Sequence, residues 1–115
     1  MMRYVLSLIL LSLSICSYSQ SSKLKNIGDK FVSYQSFYED GSIKEKGLFC
    51  ENQKCGEWKL YHENGNLNTI AHFKEDKRDG IWQFFDLNGI LIYEVEYKDG
   101  IKVRATEHTY FLATK

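Results

Sequence analysis

The chain contains no proline and no net charge, and none of its apolar runs is long enough to cross a bilayer. With proline absent and 15% of the residues aromatic, disorder is excluded outside a Ser- and Lys-containing stretch from Gln20 to about Asp29. The longest apolar run, Tyr4 to Cys16, falls short of the roughly 20 residues a transmembrane helix needs. It follows the positive Arg3 and precedes the small residues Ser17 and Ser19, the arrangement of a secretory signal peptide cleaved after Ser19. A lipoprotein anchor on Cys16 is the lesser alternative, because Ile15 stands where such sites take a small side chain. Residues 1–19 are therefore read as signal, 20–30 as a flexible lead-in and 31–115 as one modest domain. The expected location is the periplasm or the cell exterior, with the membrane touched only through the uncleaved signal.

Losing the signal leaves 14 basic against 15 acidic residues, without the basic face that nucleic acid or an anionic membrane requires. It also removes Cys16, so Cys50 and Cys55 remain as a pair in an oxidising compartment. Catalytic chemistry is missing as well. There is no Gly-rich phosphate loop, nucleophile elbow or paired-carboxylate constellation, and His62, His72 and His108 do not fall at metal-ligand spacing. No catalytic residue, metal or cofactor is expected.

What the chain does have is repetition. Gly56, Trp58, Tyr61, Asn64-Gly65, Leu67 and Phe73 recur 24 residues later as Gly80, Trp82, Phe85, Asn88-Gly89, Leu91 and Tyr97. One step earlier stand Tyr34, Phe37, Asp40-Gly41, Ile43 and Phe49, giving three copies with no insertion or deletion. Each copy carries one reversing dipeptide, ending in Gly41, Gly65 or Gly89, between flanks rich in aromatic and β-branched residues. Each copy is therefore a β-hairpin, and a two-residue type I′ turn is predicted at the dipeptide. That turn sets Trp58 opposite Ala71, Leu60 opposite Thr69 and His62 opposite Leu67, with Tyr34 opposite Gly47 and Trp82 opposite Val95. A bulky ring then meets a small partner in every copy. Tyr34, Trp58 and Trp82, with Phe49, Phe73 and Tyr97, line one face as the repeat core. Phe37, Tyr61 and Phe85 point to the other.

A second turn joins successive copies at Glu51-Asn52, Glu75-Asp76 and Asp99-Gly100. The flanking pairs expected to oppose one another are Cys50 with Cys55, Lys74 with Asp79 and Lys98 with Val103. A Cys50–Cys55 disulfide follows as a staple on one turn, contributing about 2 kcal/mol through loop-closure entropy. The C-terminal stretch Val103 to Leu112 departs from the pattern, with Arg104 for the repeat Gly and Thr106 for the Trp, and reads as a closing edge strand. The fold class is all-β, an antiparallel meander of about seven strands.

The pattern Gly-x-Trp-x-x-Tyr, then Asn-Gly-x-Leu, then an aromatic and a charged turn, resembles the MORN repeat in its bacterial variant form. Residues Gly56 to Leu67 and Gly80 to Leu91 are close matches, the first copy is looser, and together the three cover about Phe31 to Gly100. The resemblance implies a module for binding proteins and sometimes lipids, without shared catalytic residues, and it carries the label of YwqK-type antitoxins. The expected function is non-catalytic binding of another protein, with a toxin-neutralising or immunity role as the alternative and envelope glycan or lipid binding as the weaker one. The strip Phe37, Tyr61, Phe85, Ile70 and Ile92, set among charged residues, is the candidate interaction surface.

Overall fold

Rings and β-branched residues spaced between polar ones favour paired strands. The computed structural model describes residues 22–108, as one antiparallel sheet with no helix among the described residues. In chain order the strands are β1 (Ser22–Asn26), β2 (Phe31–Phe37), β3 (Ile43–Cys50), β4 (Gln53–Tyr61), β5 (Leu67–Lys74), β6 (Lys77–Arg78), β7 (Gly80–Phe85), β8 (Leu91–Lys98) and β9 (Ile101–Glu107). The spatial order is β1-β2-β3-β4-β5-β7-β8-β9, with the short β6 pairing β5. Strands β2 to β5 and β7 to β9 are the seven of the meander. Strand β1 lies inside the stretch read as a flexible lead-in, yet it pairs along β2 with Leu24 opposite Tyr34. The signal segment and Leu112 lie outside the described residues.

Hairpin reversal works differently from the predicted two-residue turn. In the central copy Gly65 N–H donates to the His62 carbonyl at 3.0 Å and His62 N–H to the Asn66 carbonyl at 2.8 Å. Only the glycine is left-handed, with φ of 91°, 90° and 83° at Gly41, Gly65 and Gly89, while Asp40, Asn64 and Asn88 keep negative φ. This is a type I turn followed by a left-handed glycine. In the first two copies the Asx residue acts through its side chain: Asp40 Oδ1 accepts from Ser42 N–H and Asn64 Oδ1 from Asn66 N–H, each at 2.9 Å. In the third copy Asp86 takes this part, accepting from Asn88 and Ile90 N–H. The wider loop moves the last pair by one residue, so Leu67 faces Tyr61 and not His62. Upstream, Trp58 faces Ala71 and Leu60 faces Thr69.

The two-residue turns with both residues at positive φ lie between the copies: Glu51 at 50° and Asn52 at 68°, Glu75 at 50° and Asp76 at 66°, Asp99 at 50° and Gly100 at 83°. These I′-like turns are tighter than the sequence pairing allowed. Cys50 faces Gln53 and Leu48 faces Cys55, Lys74 faces Lys77, and Lys98 faces Ile101. The disulfide therefore joins a diagonal pair, with Cα atoms 5.7 Å apart, inside the range a disulfide spans.

Just past each such turn the register is reset. Two extra residues of β4 are absorbed between the Leu48–Cys55 and Lys46–Lys59 pairs, at a bulge holding Gly56 with φ 67°. Gly80, φ 91°, repeats it, and a Cβ there would meet the His72 side chain at 3.5 Å. A left-handed residue in that space is best served by glycine. At the next step stands Arg104, not left-handed, and the bulge absorbs only one residue. Thr106 is thereby set opposite Glu94 while Ala105 faces Val95, so the ring row has no successor in β9.

The bulges put every repeat-core ring on one face. Centroid distances run Tyr34–Trp58 5.7 Å, Phe49–Trp58 5.1 Å, Trp58–Phe73 6.1 Å, Phe73–Trp82 5.1 Å and Trp82–Tyr97 5.5 Å, with all but the first edge-on. Such pairs contribute about 0.5–1.5 kcal/mol each beyond area burial. Trp58 is only 1% exposed, and Ala71 and Val95 are buried beside the row. The Trp58 indole lies directly over Gly47: a Cβ there would stand 1.9 Å from the ring. Both indole N–H groups reach back to the preceding copy, Trp58 to the Leu48 carbonyl at 3.1 Å and Trp82 to the His72 carbonyl at 3.0 Å.

Gly47→Ala should therefore cost about 3 kcal/mol through overpacking, read as a lower urea midpoint and a red-shifted tryptophan emission. Asp40, whose carboxyl is held below its ordinary value of 3.8 by the Ser42 hydroxyl and then the Ser42 N–H, gives a second expectation. Its folded value is depressed, so its contribution is present above the unfolded value and vanishes as pH falls through the lowered one. An NMR titration of its side-chain carboxyl should show a midpoint below that of the Ser42→Ala variant.

Candidate functional site

The two faces of the sheet offer different chemistry. On the ring face a cation recurs at 24-residue steps: Lys54, Arg78 and Lys102. Lys54 faces Phe49, Arg78 faces Phe73 and Lys102 faces Tyr97 across the strand pairs. Lys54 Nζ lies 4.6 Å from the Trp58 centroid and 5.0 Å from Phe73, and the Arg78 guanidinium lies 5.3 Å from both Trp82 and Tyr97. Lys54 and Arg78 thus cover the rings from the solvent side, which makes the ring face a self-covered core more than an open platform.

On the opposite face one row of paired positions crosses all eight strands of the path: Lys23, Gln35, Lys46, Lys59, Ile70, Gln83, Glu94 and Thr106. The five residues of the candidate surface belong to this face or its loop end. Phe37, Tyr61, Phe85 and Ile70 are half-buried, and Ile92 is 40% exposed. They are not equivalent. Lys23 Nζ covers Phe37 at 5.5 Å and Lys46 Nζ covers Tyr61 at 5.8 Å. The residue one repeat after Lys46 is Ile70, so beside Phe85 the covering cation gives way to a hydrocarbon.

The loops make the same contrast more sharply. Glu39 and Glu63 of the first two loops correspond to Leu87 in the third, Ser42 and Asn66 to Ile90, and Lys44 and Asn68 to Ile92. Leu87 is 63% exposed and Ile90 40%. The loop that carries them is well held, because Asn64 and Asn66 both donate from Nδ2 to the Leu87 carbonyl at 2.8 Å. Similar ties run along the loop edge: Tyr38 Oη donates to the Tyr61 carbonyl at 2.6 Å, and His62 Nε2 lies 3.1 Å from the Phe85 carbonyl. Leu87 and Ile90 lie outside the pattern that the copies share, and their signal in the sequence is where the third copy differs from the other two. Among the described residues no three His, Cys, Asp or Glu side chains gather into a metal-binding group.

Hairpins of constant length, each seating a ring on the one before, define an antiparallel hairpin-repeat protein. The family model of the MORN repeat variant matches residues 33–51, 54–75 and 78–99, more than half of the chain, and the protein belongs to that family. MORN repeats are commonly non-catalytic modules that bind proteins or membranes. No curated protein and no solved structure matches the chain.

The covering cations are testable on their own. Arg78→Ala should lower stability by about 1 kcal/mol through loss of the guanidinium over Trp82 and Tyr97, whereas the exposed Lys98→Ala should stay within about 0.5 kcal/mol of the parent in the same urea melts.

Proposed function

We infer that the protein is a non-catalytic interaction module that binds another protein through the face opposite the ring ladder, with the third hairpin as its centre. The observation that carries this reading is the apolar tip formed by Leu87, Ile90 and Ile92, where two equivalent loops of the same chain are polar. Exposed hydrocarbon on a loop rigidly tied to its neighbour suits recognition, because little ordering remains to oppose binding. The charged row from Lys46 and Lys59 to Glu94 supplies a polar rim on the same face. The partner that fits is a protein surface with an apolar recess. Neutralisation of a toxin is one form such binding takes, and it is the form the likeness to YwqK-type antitoxins suggests. Export follows from the signal-like residues 1–19 and belongs to the same proposal.

The test compares envelope proteins retained on the immobilised parent with those retained on Leu87→Glu/Ile90→Glu. Both side chains are exposed, so the variant should melt within about 0.5 kcal/mol of the parent and yet lose at least one specifically retained protein. An identical set of retained proteins on both would sink the proposal, and retention of a carbohydrate or lipid in their place would move it to another class of ligand.

A further inference from the structure

The three turns between copies act as controls for one another. All three adopt the same left-handed pair of conformations, yet the residues at the places of Cys50 and Cys55 are Lys74 and Asp79 in the second, Lys98 and Val103 in the third. The turn thus forms without a covalent staple, and the disulfide is surplus to its geometry. That disulfide also opens onto a cleft of about 430 Å³ between the start of β2, the β3–β4 turn and the end of β5. Cys50 and Cys55 both line it, together with Lys30, Lys74, Glu51 and Glu75. Lys30 and Glu51 pair at 3.1 Å with side chains 68% and 67% exposed, a weak surface contact that a ligand can replace.

We propose that Cys50–Cys55 is an exchangeable disulfide that takes up a small zwitterionic thiol, one carrying both carboxylate and ammonium groups, as a mixed disulfide on Cys50. The two lysines offer partners for carboxylates and the two glutamates for the ammonium group. The incoming thiolate attacks Cys50 Sγ and forms the new S–S bond. The Cys50–Cys55 bond breaks, its electron pair leaves on Cys55 Sγ, and that sulfur takes a proton from water. The Leu48 carbonyl, 3.7 Å from Cys55 Sγ, is in place to accept a hydrogen bond from the resulting thiol. Attack by Cys55 on the mixed disulfide reverses the step and expels the ligand. Disulfide and thiol exchange partners, so no further oxidant or reductant is consumed. The inference is independent of the apolar loop tip.

The experiment incubates the full chain, disulfide intact, with reduced glutathione at mildly alkaline pH, quenches with acid, and reads intact mass and peptide maps while tryptophan emission follows the fold. The expected result is one glutathione per chain on Cys50 with emission unchanged. Lys30→Glu/Lys74→Glu should slow glutathione uptake about tenfold at low salt and leave the rate with uncharged 2-mercaptoethanol as it was. Cys50→Ser/Cys55→Ser should keep the far-UV circular dichroism of the parent. An adduct seen only in urea, an adduct confined to Cys55, equal slowing of both thiols, or loss of the sheet in the double serine variant would each overturn the proposal.

Discussion

A sheet one layer thick must hide its apolar face without a second layer, and in this protein the rings of that face hide one another. The arrangement depends on how Trp58 is seated. Its ring lies against Gly47 of the preceding strand, Phe49 and Phe73 meet it edge-on, and its N–H is taken up by the Leu48 carbonyl. Removing any Cβ from beneath the ring leaves room; adding one at Gly47 does not. Ala71 and Val95 occupy the following steps, so the space beneath the row fills as it approaches β9. Lys54 and Arg78 then supply the cover that helices supply in thicker folds.

Ring seating in turn requires that each copy return to the same face, and that is the work of the bulge glycines. A one-residue slip sends every side chain of a strand to the other side. Gly56 and Gly80 absorb two residues each and so preserve the side on which the next ring emerges. Arg104 cannot adopt their conformation without strain, one residue is absorbed, and the row ends. The same glycine positions that make the array periodic therefore also decide where it stops.

Much of this was legible in the sequence because the interactions are periodic. The 24-residue echo gave the hairpins, the pairing of Trp58 with Ala71, and the gathering of Tyr34, Trp58 and Trp82 on one side. What was not legible depended on backbone conformation. Asn-Gly suggests a turn with both residues left-handed, but the Asn64 side chain holds the Asn66 N–H, and this favours the wider loop. The left-handed pair fell instead to Glu51-Asn52, where Glu51 gives no sign of it, and the facing pairs moved inward by two. The lead-in looked unstructured because Lys23 and Lys25 flank a single Leu24, yet an open sheet edge beside β2 is partner enough for such a segment. The apolar third loop was visible in principle, but only by subtracting the copies from one another.

The back-reaching contacts also have a direction. Each indole donates to a carbonyl of the copy already made, Trp58 also to Cys55 in its own copy, and nearly all pairing lies between neighbours in the chain. Each hairpin therefore finds part of its seat in the one before and is completed by the strand that follows, so the sheet is suited to forming hairpin by hairpin from its amino end.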